Sequence, residues 1–171
     1  RAMRVARAER LGQCHLQLHP DKTRVLEFGR FAAASRAQRG QRRPETFDFL
    51  GFRHYCGKTR NGRFVLKRKT RPDRLRRKIR EVRQQLRRRM HEPVRKQHRW
   101  LCSVLTGHYN YFGVSHNYRC IDNFYYAILL IWKKTLGRRG QKKRLTWEQY
   151  NDLLRVFALP KPRITHPWQS A

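Results

Sequence analysis

Acidic residues are scarce in this chain. Eleven Asp and Glu stand against 42 Lys and Arg in 171 residues, leaving a formal charge of +31. Ion pairs within the chain cannot neutralise such an excess, and the natural counterpart is a polyanion. The scarcity also removes an enzyme class. Two-metal polymerase or nuclease chemistry needs two or three convergent carboxylates, commonly a close pair. Asp21, Asp48, Asp73, Asp122 and Asp152 are dispersed, and none adjoins another acid.

Other absences narrow the field further. Cys14, Cys56, Cys102 and Cys120 form no CxxC pair, so neither a disulfide scaffold nor a familiar zinc motif is expected. Cys102, His108, His116 and Cys120 have the right chemistry for zinc but the wrong spacing. Free thiols suit a reducing, bacterial-type cytoplasm. The longest apolar run, Phe124 to Trp132, is far below the ~20 residues that span a bilayer. No signal-peptide pattern opens the chain, and no nucleophile elbow occurs. No membrane partner and no cofactor are expected for this chain.

What remains is a basic chain with 39% hydrophobic residues, enough for modest cores. Residues 1–11 are helix-compatible, with Gly12 as the stop. Leu16-Gln17-Leu18 and Val25-Leu26-Glu27-Phe28 read as short strands joined by His19-Pro20-Asp21-Lys22. Residues 30–45 lack periodicity and read as a flexible, solvated loop. Phe47 to Phe52 reads as an aromatic strand. Asn61-Gly62 supplies a turn and Phe64-Val65-Leu66 a return strand, with Gly51 marking a bulge or a close backbone approach.

From Thr70 the pattern turns helical. Thr70-Arg71-Pro72-Asp73 resembles a capping box. Leu75, Ile79, Val82, Leu86 and Met90 then recur at helical steps and form one apolar stripe. A second helix is expected over 94–112, ended by Gly113. A third, capped by Asn117, runs over 118–136 to Gly137 and buries Ile121, Phe124, Ile128, Ile131 and Leu136. A fourth starts at Thr146 with Gln149 completing a capping box. The fold class is therefore α+β: a small antiparallel hairpin unit, 1–69, followed by a mostly helical bundle, 70–171, with an extended tail.

Two basic clusters stand out. Within 74–91, Glu81 is the only acid against nine Arg and Lys, so pairing along the helix cannot neutralise it. A solvated face is the ordinary reading of a charge run, but this density calls for phosphate. Arg76, Arg77, Arg80, Arg87 and Arg88 are the expected phosphate ligands. Lys133, Lys134, Arg138, Arg139, Lys142, Lys143 and Arg144 form the second cluster, too many to serve one helix dipole. Core packing accounts for most of the aromatics between the clusters. Tyr109 and Tyr118, at helix ends, are the candidates for stacking on unpaired bases.

These residues bear a family resemblance that covers nearly the whole chain. His19-Pro20-Asp21-Lys22-Thr23 followed by Phe47-Asp48-Phe49-Leu50-Gly51-Phe52 resembles the end of the palm in group II intron reverse transcriptases. Gly107-His108-Tyr109-Asn110-Tyr111-Phe112-Gly113 is similar to the G-x-x-N-Y-Y/F signature of their maturase-specific (thumb, or X) domain. It carries His108 where many members have Trp. The resemblance implies that Phe49, Leu50, Gly51 and Phe52 form a primer grip at the end of a palm, and that the helices form a thumb. It implies a chain that grips intron RNA or a template–primer duplex and assists RNA splicing and reverse transcription in a longer parent. Structured RNA is the expected partner, with an RNA–DNA hybrid or a DNA target beside it. The catalytic Asp pair of such a parent, with its Mg2+, is expected upstream of Arg1, so no polymerase activity is expected from this chain alone. The contrasting reading is a stand-alone basic RNA-binding structural protein without polymerase ancestry.

Overall fold

The computed structural model describes residues 10–15, 17, 19, 23, 25–139 and 145–167. Helix α1 spans Ala32–Gln38, and strands β1 (Phe47–Phe49), β2 (Phe52–Lys58) and β3 (Phe64–Thr70) follow. The remaining helices are α2 (Pro72–Arg88), α3 (Val94–Phe112), α4 (Tyr118–Gly137) and α5 (Trp147–Val156). The strands form one antiparallel sheet with β2 in the middle, so the molecule is α+β. Packing divides the chain into two compact units interleaved in sequence: 1–46 with 56–65, and 47–55 with 66–171.

The first unit departs from expectation in two places. Residues 30–45 are not structureless, because α1 lies within them. Its Ala-rich sequence has high intrinsic helix propensity without an apolar stripe. Arg36 and Arg39 both reach the Glu27 carboxylate, which the Arg39 hydrogen bond holds below its ordinary pKa. Residues 25–28 form no strand; the Glu27 amide instead donates to Glu45 at 2.8 Å. Of the strand expected over 16–18 and its turn over 19–22 only Gln17 and His19 are described, neither in a strand, and most of the helix expected over 1–11 lies outside the described residues.

In the second unit the aromatic run 47–52 is not one strand. Phe49 pairs with Phe52, so Leu50 and Gly51 make a two-residue hairpin turn rather than a bulge. Both have positive φ, 47° and 79°, as a type I′ turn requires. Gly51 accepts this freely, whereas Leu50 is strained by about 1 kcal/mol. The Tyr111 hydroxyl donates to the Leu50 carbonyl at 2.9 Å, and the Arg71 amide to that of Gly51 at 3.0 Å, which fixes the turn.

The helical starts and stops follow the sequence with two corrections. Thr146 and Gln149 make the expected capping box at α5. Thr70 does not cap α2: it is buried at the end of β3, Arg71 occupies the N-cap position and Pro72 opens the helix. Asn117 stands at the N-cap of α4, but its side chain makes no cap bond. It is committed instead to Thr70 and Phe112.

The core is the apolar stripe of α2, with Val82 and Leu86 fully buried, packed on Leu101 and Leu105 of α3 and on Ile121, Phe124 and Ile128 of α4. Each such side chain contributes about 1.5–3 kcal/mol by leaving water. Several buried polar groups are matched within this core, while His108 Nε2 and His54 Nδ1 are buried without a partner among the described residues. Gln97, wholly enclosed, accepts from the Trp132 indole at 3.0 Å and donates to the Arg89 and Met90 carbonyls. The Tyr150 hydroxyl donates to the Leu129 carbonyl at 2.8 Å. The tail closes over α3: Tyr109 donates to the Pro160 carbonyl, and the Thr165 and His166 amides donate to the Gly113 carbonyl.

Candidate nucleic-acid interface

Turning the apolar stripe of α2 inward leaves the rest of that helix to its arginines. Arg74, Arg76, Arg77, Arg80, Arg83, Arg87 and Arg88 are all exposed. No carboxylate among the described residues lies within ion-pair distance of any of them. Glu81 is taken by Lys78 at 3.0 Å, and Asp73 by Arg71 at 2.9 Å. Seven guanidinium groups on five turns of helix therefore stand uncompensated.

Two grooves flank this face. The first, about 560 Å³, runs between α2 and α4. Arg80, Arg83 and Arg87 form one wall and Lys134 and Arg138 the other. The floor is apolar, made of Ile79, Met90, Ala127, Leu130 and Ile131, and no acid lines it. Its cations sit one helical turn apart on each wall, so both walls present repeated positive charge along the groove. A phosphate chain entering it would displace counterions at several points at once.

The second groove, about 470 Å³, lies between α2 and α3. Arg74, Arg77 and the Lys78–Glu81 pair face Ser103, Gly107 and Tyr111 across it. His108 lies in its lining, stacked on Phe124 with ring centroids 3.8 Å apart. Burial pushes the His108 pKa down to about 4, so the ring is neutral at pH 7. Its Nε2 has no hydrogen-bond partner among the described residues.

The second basic cluster splits in two. Lys134 and Arg138 are exposed and line the first groove. Lys133 and Arg139 are turned inward. Lys133 donates to the Leu145 carbonyl at 2.8 Å and lies over the Trp147 ring. Arg139 donates to the Met90 and Glu92 carbonyls, and burial holds its pKa below the ordinary guanidinium value. Lys142, Lys143 and Arg144 lie outside the described residues.

The aromatic candidates divide as well. Tyr109 is 1% exposed, with its hydroxyl on the Pro160 carbonyl, so it offers no face for a base. Tyr118 is half exposed, as are Tyr111 and Tyr126, which the sequence did not single out. Phe49 and Leu50 are exposed at the hairpin tip, while Phe52 is buried against Tyr111 and Phe112. Asp48 is structural, holding Arg53 at 2.9 Å and Arg71 at 3.5 Å.

Arg74 and Arg83 were also missed, although the helical wheel places Arg74 away from the apolar stripe and Arg83 at its edge, beside Met90. Among the described residues no three His, Cys, Asp or Glu side chains gather as a metal site, and no helix is long and apolar enough to cross a membrane. No family of known proteins, no curated protein and no solved structure matches the chain.

Proposed function

We propose that this chain grips nucleic acid, and that it does so as the C-terminal part of a group II intron reverse transcriptase, the palm end and thumb of a longer splicing and reverse-transcribing parent. The observation that carries the binding half is the set of exposed, uncompensated arginines on α2, faced across an acid-free groove by Lys134 and Arg138. Guanidinium forks match phosphate oxygens bidentately and keep their charge at any physiological pH. The family half rests on the two signatures, Phe49-Leu50-Gly51-Phe52 and Gly107 to Gly113, in order along the chain. An exposed hairpin tip joined to Tyr111 by a hydrogen bond is compatible with a primer-grip role for the first of them.

Structured RNA is the proposed ligand, and phosphates rather than base edges supply most of the affinity. The test is a fluorescence-anisotropy titration of a labelled RNA hairpin with the full chain. If the five groove cations each neutralise one phosphate, affinity falls by several hundred-fold between about 50 and 200 mM salt. Affinity that does not change over that range would remove the proposal.

A further inference from the structure

Helix α3 contains a glycine that nothing in the chain explains. Gly107 lies in the interior of the helix, is exposed, and has no positive φ. A Cβ placed on it would meet no atom within 4 Å. Gly113, six residues on, is the contrast, because a Cβ there would lie 2.3 Å from the Tyr109 carbonyl oxygen. After proline, glycine is the residue least suited to a helix interior, since it gives up the most backbone freedom and packs nothing. At position 107 the helix bears that cost and gains only open space.

The open space is the α2–α3 groove. On its α3 side Ser103, Gly107 and Tyr111 follow at one-turn intervals, so the groove is shallowest in side chains at its middle. On its α2 side Arg74 and Arg77 have no carboxylate partner, while Lys78 and Glu81 satisfy each other. His108, 6% exposed and with Nε2 unpartnered, belongs to the same lining.

From this juxtaposition we infer that the α2–α3 groove seats one nucleic-acid strand, whose sugar–phosphate backbone crosses α3 in contact at Gly107. Arg74 and Arg77 take its phosphates from the opposite wall. The bare helix backbone lets the sugars approach more closely than any side chain would permit. A peptide carries no charge along its backbone to match those guanidinium groups, which favours a phosphodiester strand as the occupant. The inference rests on the nucleic-acid reading above and adds to it a contact that is steric rather than ionic.

That difference makes it testable with the full chain and the same RNA hairpin. Gly107→Ala and Gly107→Gln both place a better helix former in open space, so each is expected to melt about 2–4 °C above the parent chain. Gly107→Gln is nevertheless expected to bind RNA about tenfold more weakly, with the slope of affinity against salt unchanged. The combined Arg80→Ala, Arg83→Ala, Arg87→Ala variant, in the other groove, is expected to lose both affinity and slope. A Gly107→Gln chain that binds within about threefold of the parent overturns the groove assignment alone. A parent chain with no salt-dependent RNA binding overturns the nucleic-acid reading, and this inference with it.

Discussion

Asn117 holds Thr70 by both ends of its amide. Its Oδ1 accepts the Thr70 backbone N–H at 2.8 Å, and its Nδ2 donates to the Thr70 hydroxyl at 2.8 Å and to the Phe112 carbonyl at 2.7 Å. Both residues are buried, so the amide stitches the last residue of β3 to the turn between α3 and α4. Replacing Asn117 by Ala strands a buried donor and a buried acceptor, each costing about 1–3 kcal/mol. The expected result is a fall of about 3 kcal/mol in unfolding free energy by urea titration. Thr70→Val, which removes only the hydroxyl, is expected to cost clearly less. Equal costs for the two would show that the backbone bond contributes little.

Stability is expected to depend on acid through His108. Its pKa is about 4 in the folded chain, lowered mainly by burial and further by Lys78, against about 6.5 unfolded. Above pH 6.5 neither state binds the proton, and stability is flat. Between pH 6.5 and 4 only the unfolded chain is protonated, so stability falls as pH falls, by about 1.4 kcal/mol per pH unit. His108→Phe keeps an aromatic ring against Phe124 and removes the titration, so its stability should be flatter over that window. An unaltered pH slope in the variant would assign the acid loss elsewhere.

The two halves of the second basic cluster should separate by assay. Lys134→Ala with Arg138→Ala removes exposed groove cations, lowering RNA affinity and leaving the melting temperature almost unchanged. Arg139→Ala should do the reverse. Loss of its charged hydrogen bonds to the Met90 and Glu92 carbonyls is expected to cost about 2 kcal/mol of stability. Equal effects of both changes on binding would contradict the inward role of Arg139.

Gly113 should tolerate no side chain. A Cβ there would stand 2.3 Å from the Tyr109 carbonyl, 2.7 Å from the Thr165 hydroxyl and 2.9 Å from the Arg163 carbonyl. Gly113→Ala must therefore push the tail away, at a cost of about 1–3 kcal/mol. Limited trypsin digestion, cutting at Arg163, should accelerate in the variant.

Much of the helical unit is legible from the sequence because its signals are local. The stripe Leu75–Ile79–Val82–Leu86, the stop at Gly113 and the Thr146–Gln149 capping box each act within a few residues. Non-local commitments are not legible in this way. Asn117 reads as a cap until its partner, 47 residues away in sequence, is in place. The turn at Leu50-Gly51 hides inside an apolar run because leucine seldom adopts positive φ. Helix α1 has no stripe, and its anchor is the distant Glu27. The site divides the same way. The outward charge of α2 follows from helical geometry alone, whereas the inward turn of Lys133 and Arg139 depends on which carbonyls the fold leaves open.

The tail has a consequence for how the chain can be made. Pro160, Thr165 and His166 supply partners to Tyr109, Asn110 and Gly113, each more than fifty positions away in sequence. A nascent chain leaving the ribosome must therefore hold α3 with its final turn unfastened until residue 166 emerges, and closing so large a loop is entropically slow. Amide exchange at the α3–α4 junction should be the last protection acquired during synthesis.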